Sequence, residues 1–273
     1  MTVSLDRYRL PPVPLITAWT VHLQSRHLSP ATVRIRTYHL RRLARHTPLE
    51  DVTLDVLEQV LAAHADYAPE TAKSLRSSWR GFYQWAHRTG RLPTDPTVGL
   101  APIRIPVTVP RIAPDDEIAR AIASAPLRER AMLQLGRLAC LRLSEIATLH
   151  TDDRQGAWLH VTGKGSKQRR LYLHPDVAAT LDEIHRLQGS GWFFPGQYGH
   201  LHPQSVHKLI VRACGHNPHS LRHAGATAAY NTTRDLRAVQ QMLGHSSMAV
   251  TQRYLHCDDA GLRAVALGTG IAA

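Results

Sequence analysis

Several short stretches of this chain carry side chains able to hold an anion and to move a proton. In Pro218-His219-Ser220-Leu221-Arg222-His223 a proline suited to the first turn of a helix precedes residues spaced three and four apart, which sets His219, Arg222 and His223 on one face. An imidazole and a guanidinium then point the same way. Histidines at this spacing can also ligate a metal, but no carboxylate or cysteine stands at a supporting distance, and a solvent-exposed basic face explains the stretch better. Arg142 lies in Cys140-Leu141-Arg142-Leu143-Ser144-Glu145-Ile146, where Ser144 is placed to cap a helix and Glu145 falls in its first turn. Taken alone, an ion pair with Glu145 accounts for Arg142.

Farther on, Thr232 and Asp235 frame a helix start, Leu236, Val239 and Leu243 give that helix an apolar stripe, and Gly244 ends it, with His245 directly at the turn. Tyr254 follows nine residues after His245 in Arg253-Tyr254-Leu255-His256. By itself a tyrosine near a helix end reads as a surface or core residue. Lys164 stands in Gly163-Lys164-Gly165-Ser166-Lys167, between two stretches that look like strands, Trp158 to Val161 and Arg170 to Leu173. A hairpin with a basic tip is the simplest reading.

The elements that must position these groups fall into two parts. From Leu15 to about Arg91 the pattern predicts four helices. Ser29 and Pro30 open one of them, whose apolar stripe of Val33, Leu40 and Leu43 runs beside Arg34, Arg41, Arg42 and Arg45. Another, near Pro69 to Arg88, sets Leu75, Trp79, Phe82 and Trp85 against Lys73, Arg76, Arg80 and Arg88, and the helical spacing of these aromatics is that of core residues and not of base-stacking ones. Closely spaced prolines from Pro93 to Pro114 mark a linker. Beyond it Asp115 or Asp116 can cap a helix, two further helices reach about Leu149, and helices resume near Pro175. The expected division is a helical domain over 1–97, a linker over 98–114 and a second domain over 115–273.

At 273 residues, 43% of them hydrophobic, the chain can give each part a core. The formal net charge is +12, and all of its 33 Lys and Arg residues but Lys73, Lys164, Lys167 and Lys208 are arginines. Arginine's planar fork grips phosphate oxygens in pairs, so a polyanionic partner is favoured over a merely solvated basic surface. Three scattered cysteines, Cys140, Cys214 and Cys257, make neither a disulfide framework nor a zinc site. With no signal-like leader and no apolar run of membrane-spanning length, the expectation is a cytoplasmic protein with no membrane partner.

Together, Arg142 in its Leu-Arg-x-Ser-Glu setting, Lys164 in Gly-Lys-Gly, His219-x-x-Arg222, His245 in Leu-Gly-His-Ser and Tyr254 resemble, in order and spacing, the tyrosine recombinase family, which includes phage integrases and Xer-type recombinases. The resemblance covers the whole chain and is most specific from Leu243 to Tyr254. Cys140 and Gly225 depart from it, standing where the family usually has glycine and a bulky apolar residue. The resemblance implies a mainly α fold with a small β-hairpin or sheet in the catalytic part: a helical SAM-like core-binding domain plus an α+β catalytic domain.

It also implies roles. Arg142 and Arg222 clamp the non-bridging oxygens of a phosphodiester, Tyr254 attacks the phosphorus, and His219 takes the phenolic proton. Lys164 protonates the departing 5′ oxygen, His245 hydrogen-bonds the phosphate, and Glu145 supports the cluster. Arg34, Arg41, Arg45, Lys73, Arg76, Arg80, Lys167 and Arg169 are the expected DNA contacts. Neither metal nor nucleotide cofactor is called for. The implied partners are double-stranded DNA with inverted-repeat core sites, three further copies on paired sites from a protomer that is a monomer in solution, and an accessory DNA-bending or directionality protein. The implied setting is the nucleoid of a bacterial host cell, and the implied task is integration or excision of a phage or mobile element. Starting almost at the first core-binding helix, the chain is expected to use short, simple target sites. Resolution of chromosome dimers by an Xer-type enzyme is the alternative within the family. A non-catalytic helical DNA-binding regulator is the alternative outside it, and a relaxing topoisomerase is disfavoured by the small size.

Overall fold

The computed structural model describes residues 14–106, 112–163, 168–197 and 199–244. The chain separates into two units, Met1–Thr108 and Val109–Ala273.

Among the described residues four helices make the first unit, as the sequence pattern predicts: α1 (Leu15–Ser25), α2 (Pro30–Leu43), α3 (Leu54–Ala62) and α4 (Pro69–Arg88). Helix α2 starts where Ser29 accepts the backbone N–H of Thr32 and Pro30 takes the first helical position, whose missing N–H costs nothing there. Trp79, Phe82, Tyr83 and Trp85 of α4 bury themselves against Trp19, Leu23, Leu40 and Leu57. Each such side chain taken from water stabilises the unit by about 1.5–3 kcal/mol before entropy is subtracted. The Tyr83 hydroxyl donates a hydrogen bond to the Leu49 carbonyl, and His39 bonds Ser78 across α2 and α4.

The second unit is built on the buried helix α6 (Leu127–Arg137), packed against α5 (Asp115–Ser124), α8 (Pro175–Gln188), α9 (Pro203–Cys214) and α10 (Pro218–Thr233). A short α7 (Leu143–Ala147) follows α6, and α11 (Leu236–Leu243) follows α10. Strands β1 (Arg154–Gln155), β2 (Trp158–Thr162) and β3 (Gln168–Tyr172) form an antiparallel sheet in that order, with Trp158 opposite Tyr172 and Thr162 opposite Gln168. This is the expected hairpin, with β2 one residue longer than expected and β3 starting two residues earlier and ending one earlier. A two-residue pair, β4 (Pro195–Gly196) and β5 (Gly199–His200), was not legible beforehand. Among the described residues no helix is long and apolar enough to cross a membrane.

Three capping expectations need correction. Pro114 occupies the cap position of α5, so Asp115 and Asp116 lie inside its first turn and bond Arg137 and Arg120 instead of the helix N–H groups. At α7 the residue before the helix is Arg142, and Ser144 is already helical. The cap is the carboxylate of Glu145, which accepts the Arg142 backbone N–H at 2.8 Å. Thr232 belongs to α10, its hydroxyl donating back to Ala228, and Asp235 alone caps α11.

Candidate active site

Helix α10 begins because Asn217 accepts the Ser220 N–H and Pro218 takes the first helical position. Leu221 and Ala224 turn into the core, so the helical period carries His219, Arg222 and His223 to a neighbouring face, the two imidazoles meeting edge to face at 4.3 Å. Arg222 is 2% exposed. Its guanidinium donates to the carbonyls of Cys140 and Leu243.

At the start of α7 the chain leaves the core at Leu141, so Arg142 is only partly buried while Glu145, one turn on, is sealed in with a side chain 2% exposed. Glu145 is the hub of the site. Its Oε1 accepts from Arg142 Nη1 and Arg169 Nη1, and its Oε2 accepts from Arg169 Nη2 and the Arg142 backbone, all at 2.8 Å. Arg222 Nη1 stands 4.0 Å from Oε2. Burial alone pushes the carboxyl pKa up, but the bonds and charge of Arg169 and Arg142 outweigh it and hold it at about 2. Three guanidinium groups thus gather on one carboxylate, an excess of positive charge that suits a doubly bonded anion.

The same arginines grip the end of α11. Arg169 donates to Met242 through Nε at 2.9 Å, Arg222 to Leu243 at 2.7 Å and Arg142 to Gly244 at 3.2 Å, so three successive carbonyls at the negative end of the helix each meet a cation. Gly244 is required twice. Its φ of +61° favours glycine, and a β-carbon there would stand 3.0 Å from Arg169 Cδ.

A cavity of about 520 Å³ opens beside this cluster, lined among others by Arg142, Ser144, His207, Asn217, His219 and Arg222. His219 reaches the cavity from α10. Its loss of hydration, then the charges of Arg222 and Arg142, lower its pKa below the ordinary histidine value, so the imidazole is neutral at neutral pH and able to accept a proton. His207 on α9 was not singled out from the sequence. A lone histidine on an amphipathic helix gives no signal there; only the fold brings it to this cavity.

The structure therefore brings Arg142, Glu145, His219 and Arg222 together. Lys164, Lys167, His245 and Tyr254 lie outside the described residues. Of the expected DNA contacts, Arg34, Arg41, Arg45, Lys73 and Arg80 are exposed on or beside α2 and α4. Arg76 is turned inward onto the Leu100 carbonyl, with Nη2 at 2.6 Å. Arg169 also differs from expectation: its side chain is 10% exposed and its nitrogens are engaged by Glu145 and Met242. Period-two alternation on β3 could have shown this, since Arg169 lies two residues before the buried Leu171 and shares its face.

Residues 113–260 match the phage integrase family. The tyrosine recombinase XerC of Neisseria meningitidis is 34% identical over 203 residues, covering 67% of this chain and 67% of that protein. XerC of Mycobacterium tuberculosis is 32% identical over 259 residues, 81% of this chain and 84% of that one. A crystal structure of a lambda integrase dimer bound to a COC' core site shares the fold, with a TM-score of 0.73 and 22% identity over 90% of this chain and 95% of that one. These relatives place the chain in the class of tyrosine recombinases. The chain belongs to the phage integrase family, and it is a site-specific DNA recombinase.

Proposed function

We propose that the scissile phosphate sits in the cavity between Arg142, His219 and Arg222, and that Tyr254 is the nucleophile. The observation that supports this reading is the gathering of two arginines and a neutral histidine on one cavity wall. As the phenolic oxygen bonds to phosphorus, the bond from phosphorus to the 5′ oxygen breaks. His219 takes the phenolic proton, and Lys164 gives one to the departing oxygen. Charge building on the non-bridging oxygens is met by Arg142 and Arg222, with His245 as a further donor. The 3′-phosphotyrosine link conserves the phosphodiester's energy, so a 5′ hydroxyl from another duplex reverses the step. Glu145 holds Arg142 in place.

In the same reading residues 1–97 form a DNA-binding domain, 98–114 a linker and 115–273 the catalytic domain. Four copies act on paired DNA sites with inverted-repeat cores, integrating or excising a phage or mobile element in a bacterial nucleoid, with an accessory protein setting direction. The similarity to XerC proteins favours chromosome-dimer resolution as the second reading. Incubation with a nicked suicide duplex tests the chemistry: the wild-type chain is expected to become covalently attached to DNA, and Tyr254→Phe to bind without attachment. An adduct from the Phe variant overturns the assignment. Mapping adducts on phage and chromosomal DNA separates the two tasks.

A further inference from the structure

We infer that Arg169 is a positioning residue of the phosphate clamp and not a DNA contact. This rests on the active-site reading above. Arg169 reaches inward from β3, and its fork closes on both oxygens of Glu145 at 2.8 Å while Nε holds the Met242 carbonyl at 2.9 Å. It therefore joins three elements: the hairpin strand that leads back to Lys164, the α7 turn that carries Arg142, and the end of α11 that leads into His245.

Two glycines show how closely the chain is seated on this pair. A β-carbon at Gly163, the residue before Lys164, would stand 3.3 Å from Glu145 Oε1 and 3.6 Å from Arg169 Nη1. At Gly244, the residue before His245, it would press on Arg169 itself. The points from which Lys164 and His245 leave the described structure both rest on the Arg169–Glu145 pair.

Electrostatics assigns a second task to the same side chain. With Arg169 in place, Glu145 is balanced from the hairpin side, and the positive charge of Arg142 is shared with the carboxylate only in part. Without Arg169 the buried carboxylate keeps, of its four bonds among the described residues, the two from Arg142, and it draws that guanidinium fully onto itself. The field offered to a phosphate then falls although no DNA contact has been lost.

The test separates contact from positioning. Arg169→Met is expected to slow single-turnover cleavage by on the order of 100-fold, the usual effect of a lost supporting bond, with DNA affinity little changed. The slope of log affinity against log salt is expected to stay at the wild-type value. A phosphate contact would instead lower that slope by about one, and such a drop overturns the inference. Arg169→Lys, which keeps the charge but not the fork, is expected to recover part of the cleavage rate at wild-type salt slope, and it carries the test if the Met variant does not fold. In a Glu145→Gln background, adding Arg169→Met is expected to cost little more cleavage, because the arginine acts through the carboxylate. Fully multiplied defects also overturn the inference. The Tyr254→Phe adduct assay run beside these variants distinguishes the two claims: an adduct surviving there sinks the active-site reading, whereas wild-type cleavage by Arg169→Met sinks only the role of Arg169.

Discussion

The α-carbon of Gly225 is packed directly beneath the thiol of Cys140, leaving no room for a β-carbon. One built there would stand 2.6 Å from the sulfur and overlap the carbonyl oxygen of Arg137 outright. Cys140 itself has φ of +50°, in the region glycine favours, and is completely buried, which pushes its thiol pKa up to about 11. Cysteine at 140 and glycine at 225 are thus one local solution. The Cys140 side chain takes the space that a side chain at 225 would need, and the Cys140 carbonyl still meets Arg222.

Gly225→Ala is therefore expected to destabilise the second unit, because the obstructing atom on one side is backbone and cannot rotate away. Overpacking of this kind costs about 1–3 kcal/mol. Thermal unfolding should show a midpoint several degrees lower, and a midpoint equal to wild type would mean that the α6 end is not held where it is described.

Glu145 links pH to stability. Its folded pKa of about 2 lies below the ordinary 4.5, so the unfolded chain binds the proton more readily and the stabilisation is present above pH 4.5. It is lost as the pH falls from there toward 2. The stability gap between wild type and Glu145→Gln, followed by denaturant titration, is expected to be wide near neutrality and to narrow through that window. A gap independent of pH would show that the carboxylate is not held ionised by the arginines.

Lys164 is tested as general acid by changing the leaving group. Lys164→Ala is expected to slow cleavage by a factor on the order of hundreds on ordinary DNA. Where the bridging 5′ oxygen is replaced by sulfur, the thiolate leaves without a proton and most of the rate should return. Arg142→Ala should show no such recovery, since in the proposed mechanism its guanidinium serves the non-bridging oxygens. Equal defects for Lys164→Ala on both substrates would place the proton donor elsewhere.

In the proposed clamp Arg142 and Arg222 supply charge and directed donors where divalent ions act in other phosphoryl-transfer enzymes. Cleavage in excess EDTA and without nucleotide is expected to match the rate with magnesium. A strict magnesium requirement for that step would refute the clamp.

Much of this was legible from residue spacing. Ser29-Pro30 and the aromatic stripe of α4 specify their helices locally, and His219 and Arg222 share a face by helical period alone. What was not legible depends on distant partners. Arg169, in the basic run Lys167 to Arg170, has the composition of a DNA contact, and only its inward register against Val161 and the buried Glu145 separates it from Arg170, which lies over Trp158 at 4.2 Å. Arg76 was misplaced for the same reason: its partner Leu100 is distant in sequence and offers only a backbone carbonyl. The Glu145 cap at α7 was misread because serine is the commoner cap, while here a carboxylate already bound to two arginines also takes the free N–H.

With arginine side chains bonded to the carbonyls of Met242, Leu243 and Gly244, the end of α11 is a fixed post, tied at once to β3, α10 and the start of α7. Tyr254 stands ten positions beyond Gly244. In the proposed mechanism the arginines that take the phosphate thus also fix the point from which the chain sets out toward Tyr254, and residues inserted between Gly244 and Tyr254 would lengthen that path without altering one bond of the clamp.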